Sequence, residues 1–238
     1  ALALAIAVAF SWLTPLGENY RVTVLDVGQG QCVVLQSAGR TYLVDCGGST
    51  GQKSADAAME YLYSIGIFRI DGMILTHPDA DHVNGAALLT GRMPVGETYG
   101  IADTDVLITQ RTEITFADCK ITIFPGLTSG TDNEKSLSVL FQPGKRALLI
   151  TGDQTVAGEN ALVATGLPNL DYLVVGHHGS DTSTGETLLS ATRPLCAVIS
   201  VGANNRYGHP DQTVLDRLAA YGCTVLRTDQ NGTIIIRG

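Results

Sequence analysis

The sequence has few charged and few aromatic residues, and it lacks the basic excess of a protein that clamps DNA. Charged residues make up 16% and aromatic residues 6% of its 238 residues, and 23 acidic residues outnumber 15 basic ones. The resulting net charge of −8 means that the surface as a whole repels duplex DNA. A polyanionic substrate would have to be held by bound metal ions, by a local cationic patch or by another domain.

Cysteine is scarce and shows no metal-binding or disulfide pattern. The five cysteines form no C-x-x-C pair, and their odd number argues against a complete disulfide framework. We interpret them as structural thiols with at most one disulfide and no role in metal binding. A dinucleotide fingerprint is also lacking, because Gly28-Gln29-Gly30 is too short and opens no predicted helix.

The chain begins with a wholly apolar run from Ala1 to Phe10 that continues through Trp12 and Leu13. This run is too short to span a bilayer by itself, and no basic region precedes it as in a signal peptide. We predict that residues 1–16 are the end of a transmembrane or membrane-proximal helix, and that residues 17–238 form a single domain. The alternative is a hydrophobic helix packed on that domain.

Glycine turns separate three β-branched runs, 20–27, 32–36 and 41–45, which predicts an antiparallel meander. Farther along, helical patterns alternate with short apolar runs, as in α/β proteins. The predicted helices span 54–65, 81–89, 158–165, 186–191 and 211–221. The further predicted strands span 70–75, 105–108, 120–124, 136–141, 146–150, 172–175, 196–200, 224–227 and 233–236.

Histidine and aspartate gather where the predicted strands end. The segment from His77 to His82 follows one apolar run, Asp153 follows a second, His177-His178 a third, and His209 lies in the loop after a fourth. All five histidines of the chain lie in these loops. Because strand ends of α/β proteins converge on one edge, and because imidazole and carboxylate bind divalent metals, the pattern predicts a site for two metal ions.

Each of these residues also has a purely structural interpretation. Asp79 or Asp81 could cap a helix that Pro78 introduces, and Asp153 could cap the turn that follows it. His209 could be an ordinary loop residue before a helix. The density of ligands favours metal binding for the His77–His82 segment as a whole.

These motifs, in this order, resemble the metallo-β-lactamase superfamily, whose signature begins with H-x-H-x-D-H. Here the signature carries Asp79 in its second position. Together with the segments 25–30, 151–153, 177–180 and 205–210, it is similar to the C-terminal hydrolase domain of ComEC proteins, which form the membrane channel for DNA uptake in natural transformation. The resemblance implies an α/β metallo-β-lactamase fold, a four-layer αβ/βα sandwich of two mixed sheets, for residues 17–238.

The resemblance also implies a set of site residues. It makes His77 and Asp79 ligands of one metal and Asp81 and His82 ligands of the other, with Asp153 as the bridge and His177 or His178 completing the second site. The expected catalytic residues are Asp81, Asp153 and His209, and the expected substrate-binding residues are Ser180, Asn205 and His209. The sequence departs from the family at Asp79, at Gln31, and at Asp132-Asn133, where a histidine is usual.

The implied activity is that of a metal-dependent nuclease that degrades one DNA strand during uptake. Carboxylate-rich coordination favours Mn²⁺ for the two divalent metals, with Zn²⁺ or Mg²⁺ as alternatives. We expect single-stranded DNA as the substrate, the membrane channel of the same full-length protein as a partner, a monomeric isolated domain, and a location on the extracytoplasmic side of the cell membrane. The alternatives are an extracellular phosphodiesterase of the phosphorylcholine-esterase type and a catalytically degenerate module of the DNA channel.

Overall fold

A computed structural model describes residues 19–238 of the chain. The predicted membrane helix at residues 1–16 lies outside this range. Within the range, every helix is too short or too polar to cross a bilayer.

Six strands from the first half of the chain and the C-terminal strand form a seven-stranded sheet in the order β14-β1-β2-β3-β4-β5-β6. Its strands are β1 (Tyr20–Val24), β2 (Val33–Ser37), β3 (Arg40–Val44), β4 (Ile70–Ile74), β5 (Val95–Gly100), β6 (Val106–Leu107) and β14 (Ile234–Arg237). The strands from β14 to β3 pair antiparallel, as the predicted meander requires, and those from β3 to β6 pair parallel.

The second half repeats this plan in a sheet of order β13-β12-β11-β10-β9-β8-β7. Its strands are β7 (Thr112–Phe116), β8 (Cys119–Phe124), β9 (Ser138–Pro143), β10 (Leu148–Ile150), β11 (Tyr172–Val174), β12 (Cys196–Ile199) and β13 (Thr224–Arg227). Three antiparallel pairings from β7 to β10 are followed by three parallel pairings from β10 to β13.

Uninterrupted apolar runs form the strands that are buried on both faces. In β2, Val33 and Leu35 face the core between the two sheets, whereas Val34 packs under the outer helices. In β10, Leu148 and Ile150 face the other sheet and Leu149 faces outward. Because side chains alternate along a strand, a run with no polar member indicates apolar layers on both sides.

Helices cover the outer face of each sheet. They are α1 (Gly51–Ser64), α2 (Ala80–Val83), α3 (Ala86–Thr90), α4 (Val156–Val163), α5 (Glu186–Thr192), α6 (Gln212–Ala220) and α7 (Thr228–Asn231). The buried face of α1, with Ala55, Ala58 and Leu62, packs on the first sheet. Leu188 of α5 and Leu218 of α6 pack on the second. The predicted four-layer sandwich of two mixed sheets is therefore confirmed.

Two matching ion pairs stabilise the N-terminal ends of the parallel strands. Asp71 accepts hydrogen bonds from the Arg40 guanidinium and the backbone N–H of Thr41. Asp171 does the same for the Arg146 guanidinium and the N–H of Ala147. Both aspartates lie at the strand ends opposite those that carry the histidines. In each sheet, one end of the parallel strands is therefore held by an ion pair, and the other end is rich in metal-binding side chains.

The helix predicted over 81–89 is divided into α2 and α3. Gly85 lies at the break, where its N–H donates to the carbonyl of Cys46 at 2.8 Å. Asn84 donates to the carbonyl of Gly48 at 2.7 Å. These bonds tie the chain to the loop after β3, which an uninterrupted helix could not reach. The sequence analysis also did not predict β5 or α7.

All five cysteines are free thiols. Four of them are buried and Cys196 is half-buried. A hydrogen bond to Cys46 together with burial raises the pKa of Cys32 well above its ordinary range. None of the five belongs to a group of side chains that could hold a metal ion in residues 19–238. The structural interpretation of the cysteines agrees with these positions.

A buried carboxylate, Glu159 of α4, holds the loop that precedes α5. Its two oxygens accept the backbone N–H groups of Thr184 at 2.6 Å and Gly185 at 2.8 Å. Burial raises the pKa of Glu159 to about 7, although these hydrogen bonds and the charge of Arg217 oppose the shift.

We therefore expect Glu159 to make folding stability pH-dependent. Because the folded state binds this proton more tightly than the unfolded state, stability present at pH 5 is lost as the pH rises through about 7. By pH 8 the loss is on the order of 3 kcal/mol. Urea unfolding should show that Glu159→Gln weakens this decline, whereas Glu186→Gln, at the start of the neighbouring helix, should not. An equal stability difference between wild type and Glu159→Gln at both pH values would contradict the assignment.

Candidate metal centre

Three histidines and one aspartate from the segments after three strands converge where the strands of both sheets end. His77 follows β4, His82 lies in α2, Asp153 follows β10, and His178 lies in a 3₁₀ turn (Gly176–Gly179) after β11. All four side chains are buried, with exposed fractions of 3% or less. The predicted convergence of these loops on one edge is present.

Each of the three imidazoles is held through its Nδ1 atom. His82 Nδ1 donates to the Asp45 carboxylate at 2.8 Å, and His178 Nδ1 donates to the carbonyl of Ser200 at 2.8 Å. His77 Nδ1 lies 3.1 Å from the hydroxyl of Thr76, which itself donates to Asp45 and so accepts from the imidazole. In the neutral form of each ring, this arrangement leaves the lone pair on Nε2, which is the state that a metal ligand requires.

The inward-facing atoms of this cluster have no hydrogen-bond partner. They are the Nε2 atoms of His77, His82 and His178 and the Oδ1 atom of Asp153, although His82 Nε2 and Asp153 Oδ1 lie only 3.0 Å apart. Buried polar atoms without partners cost free energy, so their concentration at one point indicates that a ligand satisfies them. Imidazole nitrogens and carboxylate oxygens together fit a divalent metal ion.

Two overlapping groups of donors could each hold an ion. One consists of His77, His82 and Asp153, and the other of Asp81, His82 and His178. Within each group the donor atoms lie within 4.8 Å of one another. The Asp81 carboxylate approaches His178 Nε2 at 3.3 Å. The shared His82 makes the two groups neighbours.

The carboxylates stabilise positive charge at this point. Burial opposes a charged imidazole, yet the charges of Asp153 and Asp45 raise the pKa of His82 well above its ordinary range. Burial also opposes ionisation of Asp153, but the nearby charges of His82 and His178 hold its pKa well below the usual range. The same electrostatic environment favours a bound cation.

Asp45 is the residue beneath this cluster. It is completely buried and accepts hydrogen bonds from the Thr76 N–H at 2.7 Å, the Thr76 hydroxyl at 2.8 Å, and Gln31 Nε2 at 2.7 Å, in addition to His82. Asp45 therefore braces the loop that carries His77 and His82. Gln31, which the sequence showed only as a departure from the family, is one of its donors.

Two glycines let backbone pack directly against the metal-binding segment. A Cβ atom at Gly47 would overlap the Asp81 carbonyl and the His82 nitrogen, and one at Gly30 would overlap the Asp81 carbonyl. The N–H of Gln31 donates to that same carbonyl at 3.0 Å. The loops after β1 and β3 thus fix the position of α2.

The two adjacent histidines after β11 adopt a strained backbone. His177 and His178 have φ values of 50° and 54°, in the left-handed region that side chains other than glycine seldom occupy. Such conformations cost about 1–3 kcal/mol each and persist where surrounding structure enforces them, often at functional sites. Here they turn the two imidazoles in different directions, His178 into the cluster and His177 to its rim.

The other predicted ligands lie at the edge of the cluster. Asp79 is half exposed, and its Oδ2 atom lies 3.7 Å from His77 Nε2. It occupies the N-cap position of α2, but its side chain makes no capping hydrogen bond. His177 Nε2 lies 3.6 Å from Asp153 Oδ2 and 3.4 Å from the side-chain amide of Asn133. Asn133 thus stands close to the cluster, in the loop where the family usually has a histidine.

The predicted substrate-binding residues line the rim or support it. The ring of His209 lies 5.8 Å from that of His177, and burial lowers the pKa of His209. The amide of Asn205 accepts from the N–H groups of Tyr207 and His209 and donates to two carbonyls, so it holds the loop together. The hydroxyl of Ser180 lies 2.9 Å from that of Thr182.

Several residues that position the ligands carried no signal in the sequence. The hydroxyls of Thr76 and Ser136 contact Nδ1 of His77, and the backbone carbonyl of Ser200 contacts Nδ1 of His178. Small polar residues of this kind occur in every loop, so only the folded structure identifies them. Their contacts orient the imidazoles.

The fold and these donors define a class of protein. The family model of the metallo-beta-lactamase superfamily matches residues 25–117. The metallo-beta-lactamase fold protein YhfI from Bacillus subtilis superposes with a TM-score of 0.64 over 92% of this chain and all of that protein, at 13% identity. The chain therefore has the metallo-β-lactamase fold, and residues 25–117 match that superfamily.

Within that superfamily the sequence is similar to the ComEC family. It is 35% identical to "Competence protein ComA" of Neisseria gonorrhoeae over 90% of this chain and 31% of that protein. It is 32% identical to "ComE operon protein 3" of Bacillus subtilis (strain 168) over 93% of this chain and 33% of that protein. The chain spans about a third of the length of these relatives. The resemblance seen in the sequence motifs is confirmed.

Asp45→Asn should damage both the fold and the metal centre. The NH₂ group of the asparagine would face one of the N–H or O–H donors that now bond to Asp45, and two donors cannot bond to each other. The free energy of unfolding should therefore fall by about 2–4 kcal/mol. Because His82 loses its anchor, affinity for divalent metal should fall about ten- to a hundredfold. Urea unfolding and calorimetric metal titration measure the two effects.

Asp171→Asn is the matched control, because Asp171 accepts from a guanidinium and a backbone N–H at the opposite strand ends. It should leave metal affinity unchanged. A folded Asp45→Asn protein that binds metal as tightly as wild type would contradict the role given to Asp45.

Proposed function

We propose that this domain is a metal-dependent phosphodiesterase that cleaves DNA and degrades one strand during DNA uptake. The observation that carries the proposal is the convergence of four buried, unpartnered donor atoms in two overlapping groups that share His82. Two adjacent divalent ions stabilise both the attacking and the leaving oxygen of a phosphodiester and lower the pKa of water. Similarity to competence proteins supports DNA as the substrate.

We propose that His77, Asp79 and Asp153 serve one ion, and that Asp81, His82, His178 and Asp153 serve the other. His178 is preferred to His177 because its Nε2 atom is buried, unpartnered and grouped with Asp81 and His82. Carboxylates supply three of these ligands, which favours Mn²⁺ over Zn²⁺. Asn133 leaves the first ion with fewer protein ligands than the family usually provides, so the first site binds its ion more weakly.

The chain's own residues divide the remaining tasks. Asp45, Thr76 and Ser200 hold the imidazole rings so that the Nε2 lone pairs face the centre. His209 stands at the rim beside His177, where an imidazole can contact a phosphate oxygen or protonate the leaving oxygen. His177, which is half-buried, orients the phosphodiester between the metal centre and His209.

The context of the reaction is also a proposal, because the chain spans only about a third of its relatives. We propose that the domain belongs to a larger membrane protein whose channel portion carries the DNA, and that the domain lies on the extracytoplasmic side. Degradation of one strand beside the channel would leave the other strand for passage.

Asp153→Asn should abolish DNA cleavage. Wild-type protein with Mn²⁺ should cleave single-stranded oligonucleotides, and a chelator should stop the reaction. Because the proposed assignment makes Asp153 a ligand of both ions, kcat of the variant should fall at least about a hundredfold. Gel analysis of end-labelled oligonucleotides gives the rates. Asp132→Asn, the same charge change in an exposed loop residue, should retain activity, and cleavage that survives either the chelator or Asp153→Asn would refute the proposal.

Metal stoichiometry tests the ligand assignment. We expect two Mn²⁺ per wild-type chain at saturation, one after His178→Ala, and two after His177→Ala, measured by titration calorimetry with elemental analysis. Wild-type protein that binds no stoichiometric metal would instead favour a catalytically degenerate module of the DNA channel. Loss of an ion in His177→Ala rather than His178→Ala would reverse the assignment of the two histidines.

A further inference from the structure

An exposed aromatic ring with an arginine beside it lies on the loop after β12. The Tyr207 side chain is 52% exposed, and its ring stacks on that of His209 with centroids 5.8 Å apart and planes inclined by 13°. The guanidinium carbon of Arg206 lies 4.9 Å from the centroid of Tyr207. Arg206 Nη2 also donates to the Tyr207 hydroxyl at 2.8 Å.

The loop that carries this pair is held in one conformation. The Asn205 side chain accepts from the N–H groups of Tyr207 and His209 at 3.1 and 3.0 Å. It donates to the carbonyls of Gly202 and His209 at 3.0 and 2.6 Å. Asn205 therefore sets the spacing between the two stacked rings, and the exposed pair is already ordered before any ligand binds.

The pair is connected to the candidate metal centre by a row of rings. His209, stacked on Tyr207, lies 5.8 Å from His177, whose Nε2 atom is 3.6 Å from Asp153 Oδ2. Tyr207 is thus the outermost ring of three that begin at Asp153. A strand whose phosphate lay at the centre could reach the pair with a neighbouring nucleotide.

Within residues 19–238, Arg206 lacks the carboxylate partner that five other arginines have. Arg40, Arg92, Arg111, Arg146 and Arg227 each pair with a carboxylate. Arg206 has no carboxylate within ion-pair distance in the part of the chain that the structure describes, and its contacts there are with Tyr207. In a chain of net charge −8, this uncompensated cation stands beside the rim of the centre.

We propose that the Arg206–Tyr207 pair is a stacking platform for a nucleobase of single-stranded nucleic acid. The inference rests on the proposed function in that it extends the same site along the substrate strand. Aromatic rings and guanidinium planes both stack on bases, and such contacts tolerate any sequence because every base has a flat face. A duplex keeps its bases stacked on one another, so the platform selects single strands.

Binding of labelled oligothymidylate without divalent metal tests the platform apart from cleavage. Fluorescence anisotropy should show that Tyr207→Ala and Arg206→Ala each weaken binding about ten- to a hundredfold, the range expected for one stacked base. Tyr207→Phe keeps the ring and should bind nearly as well as wild type. Tyr63→Ala is the matched control, because Tyr63 is an exposed tyrosine stacked on Phe68 at the far end of α1, and it should have no effect.

An abasic scan identifies the base that stacks. For wild type, removal of one base from the oligonucleotide should weaken binding as much as Tyr207→Ala does. For Tyr207→Ala, the same removal should have no further effect, since the two changes delete one contact. Unchanged binding in Tyr207→Ala would overturn the proposal. The proposal would also be overturned if Tyr207→Ala lost as much affinity for inorganic polyphosphate, which carries charge but no bases, as for the oligonucleotide.

Hydrolysis of bis(p-nitrophenyl) phosphate separates this inference from the proposed nuclease function. The small substrate is too short to span from the centre to the platform, so Tyr207→Ala should raise KM for oligonucleotides by a much larger factor than it changes KM for the small substrate. If wild type cleaves neither substrate but the binding results hold, the nuclease proposal fails and the platform stands. If cleavage is strong but the variants bind and cleave oligonucleotides normally, the platform fails and the nuclease proposal stands.

Discussion

The rest of the site depends on the hydrogen bonds accepted by one buried carboxylate. Asp45 holds His82 directly and His77 through Thr76, and it takes a further donor from Gln31. A buried carboxylate is stable only when hydrogen bonds replace its lost hydration, and these donors provide them. Removal of Asp45 would leave its donors unpaired and two imidazoles free to turn, so fold and metal centre are coupled through this residue.

The shared arrangement of strands in the two sheets explains where such a centre can form. At one end of the parallel strands, Asp71 and Asp171 each accept hydrogen bonds from a guanidinium and a backbone N–H. At the other end the loops are polar, and glycines allow them to pack tightly, as Gly47 does against α2. The packed apolar layers below make this end rigid enough to hold His177 and His178 in a left-handed backbone.

An acidic domain that acts on a polyanion needs local sources of positive charge. The candidate centre supplies them through metal binding, and its own carboxylates favour a cation there. Arg206 would add a second source farther along the strand, joined to the centre through Tyr207, His209 and His177. In the proposed arrangement, nucleic acid would be attracted at the site, while the net charge of −8 disfavours binding elsewhere.

The sequence by itself determined the antiparallel pairing of the first meander and the loops that carry His77, Asp153 and His178. These follow from apolar alternation and from ligands placed after strands, which are local patterns. It did not determine the break at Gly85, the support from Ser136 and Ser200, or the different directions of His177 and His178. Those depend on contacts between segments distant in the chain, such as Gly85 with Cys46 and His178 with Ser200. Only the tertiary structure decides them, because their free energy comes from bonds that exist only after these distant segments have packed together.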